Sequence, residues 1–273
     1  MYIQKINIYE QLENSISMKK IIFTILGICF STILAAQTMH TMIFVNESEP
    51  NREIDRRADS RNMQRFFTEI AYCLNYRNNM HSHSGAEFTA TCIDRDIENL
   101  NVGNNDVVVF YYSGHGANLR NDKWPTLDLL DKPYWSSRIL AKLNAKCANA
   151  KLVLFITDCC NSYINSGIVP TSSLNPVDDN NVVKLFTGFK GKKKVIITAA
   201  KPGQSSISDP RYGAWFGISF RQAVKENTSN DSSNPTWEKV MQDARRLTLL
   251  NTRGDHQHEP QWSIEQSADP FDD

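Results

Sequence analysis

The 273-residue sequence has no surplus of charge of either sign, because 30 Lys and Arg are matched by 30 Asp and Glu. That balance leaves none of the basic excess with which proteins hold nucleic-acid phosphates, so no nucleic-acid partner is expected. No apolar run reaches the roughly 20 residues that span a bilayer; the mostly apolar segment from Ile21 to Ala36 stops short of it. There is no internal repeat, which excludes solenoids and propellers. Cysteine is sparse, with six in all.

What the N-terminus does have is an order of features. Met18-Lys19-Lys20 precedes the apolar segment, which ends in Leu34-Ala35-Ala36, giving the charged, apolar and small-residue regions of a secretory signal. Translation from Met18, cleavage near Ala36, and a periplasmic or secreted product with membrane contact only through this segment are the expectation; a retained anchor is the alternative. The residue before Cys29 is not the small one a lipoprotein signal requires. Removal of Cys29 leaves Cys73, Cys92, Cys147, Cys159 and Cys160. This odd set leaves at least one thiol free in an oxidising compartment. Cys73 and Cys147 fall in helical patterns and, with Cys92, suit the role of small buried hydrophobes. Cys160 does not, because it follows an acidic residue at the end of a strand-like run.

Apolar patterning then organises the chain. Short runs at Thr41 to Asn46, Glu87 to Cys92, Asp106 to Gly116, the stretch ending at Cys160, and Val195 to Ala200 read as strands. Helical spacing marks Met63 to Leu74, with Asp59 or Ser60 as N-cap, then Ile93 to Leu100, Ile139 to Leu143, Ala214 to Val224, and a last helix opening at Pro235. Residues 75–84, 117–124 and 166–194 read as polar loops, the last long enough to be functional or disordered. Strands alternating with amphipathic helices predict an α/β fold with a mainly parallel sheet. One domain over residues 37–263, with a polar tail at 264–273, fits the length.

Two of the strands end in chemistry. Asp106-Val-Val-Val-Phe-Tyr-Tyr-Ser-Gly-His115-Gly116 closes on a histidine between glycines, and Leu152-Val-Leu-Phe-Ile-Thr-Asp158-Cys159-Cys160 closes on an acid and two thiols. Working residues of a parallel sheet lie beyond the carboxyl ends of its strands. A neighbouring imidazole makes a thiol nucleophilic and later protonates a leaving amine. A glycine beside it offers a bare N–H to an oxyanion. A core thiol and a satisfied histidine are the alternative reading of the same residues.

Tyr111-Tyr-Ser-Gly-His-Gly116 followed by Ile156-Thr-Asp-Cys-Cys-Asn-Ser162 resembles the paired histidine and cysteine motifs of the caspase superfamily, most closely those of metacaspases and their bacterial relatives. Arg57 to Phe67, Ile197 to Gln204, Gly213 to Gly217 and Glu259 to Trp262 resemble further segments of that family in the expected order. The resemblance implies a three-layer α/β/α sandwich and a cysteine endopeptidase working through an acyl-enzyme on Cys160. His115 would be the catalytic histidine, and the Gly116 and Cys160 N–H groups the oxyanion donors. An acid stands two before the nucleophile in the family, which pairs Asp158 with Cys160 and gives Cys159 the variable place. Asp59 and Asp158 match the acids that in metacaspases line the pocket for the residue before the scissile bond. Peptide or protein substrates with Arg or Lys there are therefore expected; for Asp59 a plain helix cap is the alternative.

The chain also departs from the family. Asn161-Ser162-Tyr163 stands where metacaspases carry His-Ser-Gly. Asp128, Asp131, Asp178 and Asp179 form no convincing calcium cluster, so no cofactor is expected, with calcium activation left open. His81-Ser-His83 and His256-Gln-His258 are metal-capable pairs, but in polar loops without nearby Cys or acidic ligands no metal site is expected. The run from Lys190 to Lys194 reads as a solvated face, or as a self-cleavage site in the 166–194 loop. A catalytically silent peptide-binding module is the alternative function, and a transpeptidase a third.

Overall fold

The structure is a computed structural model that describes residues 37–48, 53–119, 122–161, 177–209, 211–252 and 257–267. Residues 1–36, where a leader is expected, residues 166–176 of the expected loop, and Ser162, Tyr163 and His256 lie outside these residues. β1 (Thr38–Val45), β2 (Arg77–His83), β3 (Val107–Ser113), β7 (Leu152–Asp158), β8 (Lys192–Thr198) and β11 (Gln261–Ser267) form one six-stranded sheet. Its order is β11-β8-β7-β3-β1-β2, and every pairing is parallel except β11 with β8. A three-stranded ribbon of β4 (Gly116–Ala117), β5 (Thr126–Asp128) and β6 (Pro133–Trp135), and a short pair of β9 (Ser208–Asp209) with β10 (Gly213–Ala214), stand apart from it.

The inner strands β1, β3 and β7 are buried on both faces, so their alternation assigns side chains to two cores. Met39, Ile43, Val109, Tyr111, Leu154 and Ile197 face α1 (Glu53–Cys73), α4 (Asp179–Phe186), α5 (Trp215–Asn227) and α6 (Trp237–Asn251). Met42, Phe44, Phe110, Tyr112, Phe155 and Ile196 face α2 (Ala90–Asn99) and α3 (Ser136–Lys146). This is the expected three-layer sandwich.

Asp106 ties the start of β3 to β1. Its carboxylate accepts from Thr38 N and Gly103 N, both at 2.7 Å, and contacts His40 Nε2 at 3.3 Å. Asp106→Ala would leave these donors unpaired in a buried setting and is expected to cost about 3 kcal/mol in denaturant unfolding.

Several local expectations are corrected. α1 begins at Glu53, so Asp59 lies inside the helix and is not its cap. Residues 75–84 contain the edge strand β2, whose mostly exposed Asn, His and Ser carry no apolar alternation. Glu87 to Cys92 is not a strand: a 3-10 turn at Gly85–Glu87 leads into α2, where Thr89 Oγ1 caps Cys92 N at 3.1 Å and Asp131 Oδ1 accepts from Ala90 N at 2.8 Å. The 166–194 segment holds α4, capped by Asp178, whose Oδ1 accepts from Asn181 N at 2.8 Å. Asp131 and Asp178 thus serve helix N-termini. Lys192, Lys193 and Lys194 lie in β8; Lys193 and Lys194 pair with both β7 and β11, Lys192 with β11 alone, and Lys194 meets Glu265 at 2.7 Å. These three lysines therefore belong to the sheet and not to a polar loop. β11 carries the sheet past Ser263 to Ser267.

Candidate active site

The register of the central strands decides which tips meet. Ser113 on β3 pairs with Asp158 on β7, so the two residues beyond each, His115 and Cys160, leave adjacent strand ends at the same level. Strand alternation then separates the two thiols. Cys159 points with Phe155 into the α2–α3 core and is 2% exposed, and burial pushes its thiol well above the ordinary range. Cys160 stands past the ladder, half-buried, with Sγ 3.4 Å from Ser206 O. All five described cysteines are free thiols.

Each tip is held from behind. His115 O accepts from Tyr112 Oη at 2.5 Å and from Asp128 N at 3.0 Å. That second bond makes His115 and Asp128 a hydrogen-bonded pair of the β4–β5 ladder, so the next pair, Gly116 and Leu127, is a non-bonded one and the Gly116 N–H points off the ladder. Such an N–H is free of β5 and suited to an oxyanion. A side chain at Gly116 has no room, since a Cβ would lie 2.5 Å from Cys159 Sγ and 2.7 Å from Cys160 O.

After Cys160 the fully buried Asn161 acts as a clamp. Its N–H donates to Gln204 O (3.0 Å), its carbonyl accepts from Gly203 N (2.8 Å), its Nδ2 donates to Ala200 O (3.3 Å), and its Oδ1 accepts from Asn118 Nδ2 (3.1 Å). The sequence marked Asn161 only as a departure from the family pattern, and it missed Ser206 altogether. No local spacing signals either, because the contacts join the end of β7 to the distant β8–β9 connection, where Ala200, Gly203, Gln204 and Ser206 lie.

Asp59 and Asp158 lie beneath the tips, on the α1–α5 side, and are 0% and 1% exposed. Asp59 accepts from Ala214 N at 2.7 Å and Ser113 Oγ at 2.8 Å, with the Arg56 guanidinium 3.9 Å away and itself donating to Ser113 Oγ at 3.0 Å. Asp158 accepts from Ser206 Oγ at 3.3 Å and Tyr111 Oη at 3.5 Å. Burial raises the pKa of both carboxyls. For Asp158, burial and then the Asp59 charge push it up to about 7. Arg56 and Arg221 oppose this with positive charge.

Asp158 therefore gives a pH signature. Its contribution to stability is present in full below its unfolded value of 3.8 and is lost as pH rises through about 7, where a buried carboxyl must ionise. Denaturant unfolding from pH 4 to pH 8 is expected to show a loss on the order of a few kcal/mol that Asp158→Asn removes.

A mainly parallel α/β/α sandwich that brings a histidine and a cysteine to neighbouring carboxyl ends is a cysteine-peptidase type of fold. The chain belongs to the caspase-domain family, whose model matches residues 45–271. Among solved structures it is similar to caspase-1 from Spodoptera frugiperda, with a TM-score of 0.55 and 14% identity over 85% of this chain and 87% of that one. It is also similar to protein GSU0716 from Geobacter sulfurreducens, with a TM-score of 0.50 and 13% identity over 86% and 95%. At these identities the likeness establishes the fold alone. No curated protein matches in sequence.

Proposed function

We propose that this chain is an exported cysteine endopeptidase that cleaves after Arg or Lys through an acyl-enzyme on Cys160. The observation that supports the reading is the Ser113–Asp158 register, which makes the strand ends leading to His115 and Cys160 neighbours, while Cys159 is buried in the core. His115 favours the Cys160 thiolate and then protonates the leaving amine. The Gly116 and Cys160 N–H groups stabilise the oxyanion. Asp59 and Asp158, in their ionised forms, would supply the negative charge that a basic side chain meets, and for Asp158 burial favours the neutral form below about pH 7.

One observation favours a narrower outcome. Arg56 already stands against Asp59, so part of the acid pair's charge is neutralised from within. A substrate guanidinium must then compete with that contact, and its pull falls mainly on Asp158.

Cleavage of matched fluorogenic peptides ending in Arg, Lys or Asp tests both points. Basic peptides are expected to be cut and the Asp peptide left intact, and Asp158→Ala is expected to lower kcat/KM on basic peptides by about a hundredfold. Equal cleavage of all three would sink the specificity. No cleavage, together with a Cys160 that resists a thiol reagent, would instead mark a silent peptide-binding module. Of the basic residues in the 166–194 segment, Lys184 lies in α4 and Lys192 to Lys194 in β8, so Lys190 is the residue at which self-cleavage would be sought.

A further inference from the structure

The histidine pair His81-Ser-His83 is not in a loop and does not lack acidic neighbours. β2 places both residues on one face of the sheet edge, and α2 brings Asp96 against them. His83 Nε2 is 2.7 Å from Asp96 Oδ2, and His81 Nδ1 is 3.5 Å from the same oxygen. One donor atom from each of the three residues falls within 4.8 Å of the others. Ligands about 2.0–2.2 Å from a tetrahedral zinc ion stand roughly 3.3 Å apart. The 2.7 and 3.5 Å separations bracket that spacing, so small side-chain movements suffice.

The second ring nitrogen of His83 supplies an independent reason. Nδ1 is 3.1 Å from Glu87 Oε2, while Nε2 faces Asp96, so both nitrogens point at carboxylate oxygens. A neutral imidazole has one N–H. With that N–H on Glu87, Nε2 turns a lone pair towards Asp96, and the contact is attractive only when a cation lies between them. A second proton or a metal ion meets the need. Glu87 in that arrangement is the carboxylate that orients a metal-bound histidine. The His83 ring is further fixed by stacking on Phe44, with centroids 4.9 Å apart.

We propose that His81, His83 and Asp96 bind one divalent transition-metal ion of the zinc type. Glu87 holds the His83 tautomer, and the fourth position is open to water on the side of His81, whose side chain is 48% exposed. Two imidazoles and one carboxylate favour zinc, cobalt or nickel over calcium, which takes six to eight oxygens. Binding releases to solvent any proton held between His83 and Asp96. Arg95, 3.6 Å from Asp96 Oδ1, is the competing cation, but it is half exposed and contacts the other carboxylate oxygen. The site pins the edge strand to α2. His83 is level with Phe44 and hence Tyr112, two strand spacings or roughly 10 Å from β3, so the site is distinct from the His115–Cys160 pair and independent of the peptidase reading.

The test is titration of the untagged full-length chain with Co2+, displacement by Zn2+, and a parallel titration of Cys160→Ala, in which the strand-tip thiol is removed. One equivalent is expected to give visible ligand-field absorption without the near-ultraviolet charge transfer of a thiolate. Free Zn2+ at a hundredfold excess over its Kd is expected to raise the unfolding midpoint by roughly 5–10 °C. His81→Ala, at an exposed edge position that leaves folding intact, is expected to weaken binding by about a hundredfold, and Glu87→Gln by about tenfold. Absence of binding overturns the proposal. So does equal stabilisation by Ca2+, or affinity unchanged in His81→Ala. Thiolate charge transfer also overturns it, assigning the metal to Cys160 if Cys160→Ala abolishes the band, or to Cys92 beside His83 and Glu87 if it persists.

Discussion

Cys160→Ala is expected to lower kcat/KM on a basic peptide by at least about ten-thousandfold, with an unchanged unfolding midpoint, whereas Cys159→Ala is expected to stay within an order of magnitude of the parent. The contrast comes from strand alternation. Cys159 continues the Val153–Phe155 face of β7 into the α2–α3 core, so its loss opens a small cavity and costs about 1 kcal/mol while touching no reacting atom. Its thiol is pushed well above the ordinary range by burial, and by Cys160 and Asp158 nearby, so it stays protonated and poorly nucleophilic. Cys160 stands beyond the ladder, half-buried, at the strand end next to the one that leads to His115. Steady-state kinetics on both variants, with thermal unfolding as the control for folding, decides the matter. Activity surviving in Cys160→Ala and lost in Cys159→Ala would reverse the assignment of the nucleophile.

The strand tips were legible because a parallel sheet announces itself locally. Continuous apolar runs such as Val107 to Tyr112 and Leu152 to Ile156 have few other uses, and their abrupt polar ends mark the crevice. Edge elements were not legible for the opposite reason. β2 is Arg-Asn-Asn-Met-His-Ser-His, a strand by pairing with β1 alone, and nothing in its composition says so. The metal-capable pair was discounted on that account, since its acidic partner comes from α2, thirteen residues on from His83. Thr89 and Asp131 likewise convert a β-like stretch into a helix start through a contact 41 residues apart. Asp59 shows a third kind of gap. Its place in the sequence was clear, but its bond to Ala214 N across 155 residues makes it part of the buried frame as much as a site residue.

Gly116→Ala is expected to lower kcat by about a hundredfold or more, although it removes no functional group. The added methyl would sit 2.5 Å from Cys159 Sγ, 3.0 Å from Cys159 Cβ and 2.7 Å from Cys160 O. Two of these atoms belong to a side chain locked in the core, and the third to the backbone of the proposed nucleophile. Neither tip can yield at low cost, because Asn161 is anchored on Ala200, Gly203, Gln204 and Asn118, and His115 O on Tyr112 and Asp128. The clash must therefore part the two strand ends, which lengthens the Cys160–His115 approach and turns the Gly116 N–H away from the oxyanion. A displacement near 1 Å is enough for a loss of about a hundredfold in the chemical step, while overpacking costs about 1–3 kcal/mol of stability. The readouts that separate this from simple unfolding are kcat against KM and the rate at which iodoacetamide alkylates Cys160. Alkylation slowed together with kcat, at a KM close to the parent's, ties the loss to the proposed pairing of His115 with Cys160. Parent-like kcat in a folded Gly116→Ala chain would show that the tips tolerate separation, and with it that the close approach of Gly116 to Cys159 serves packing alone.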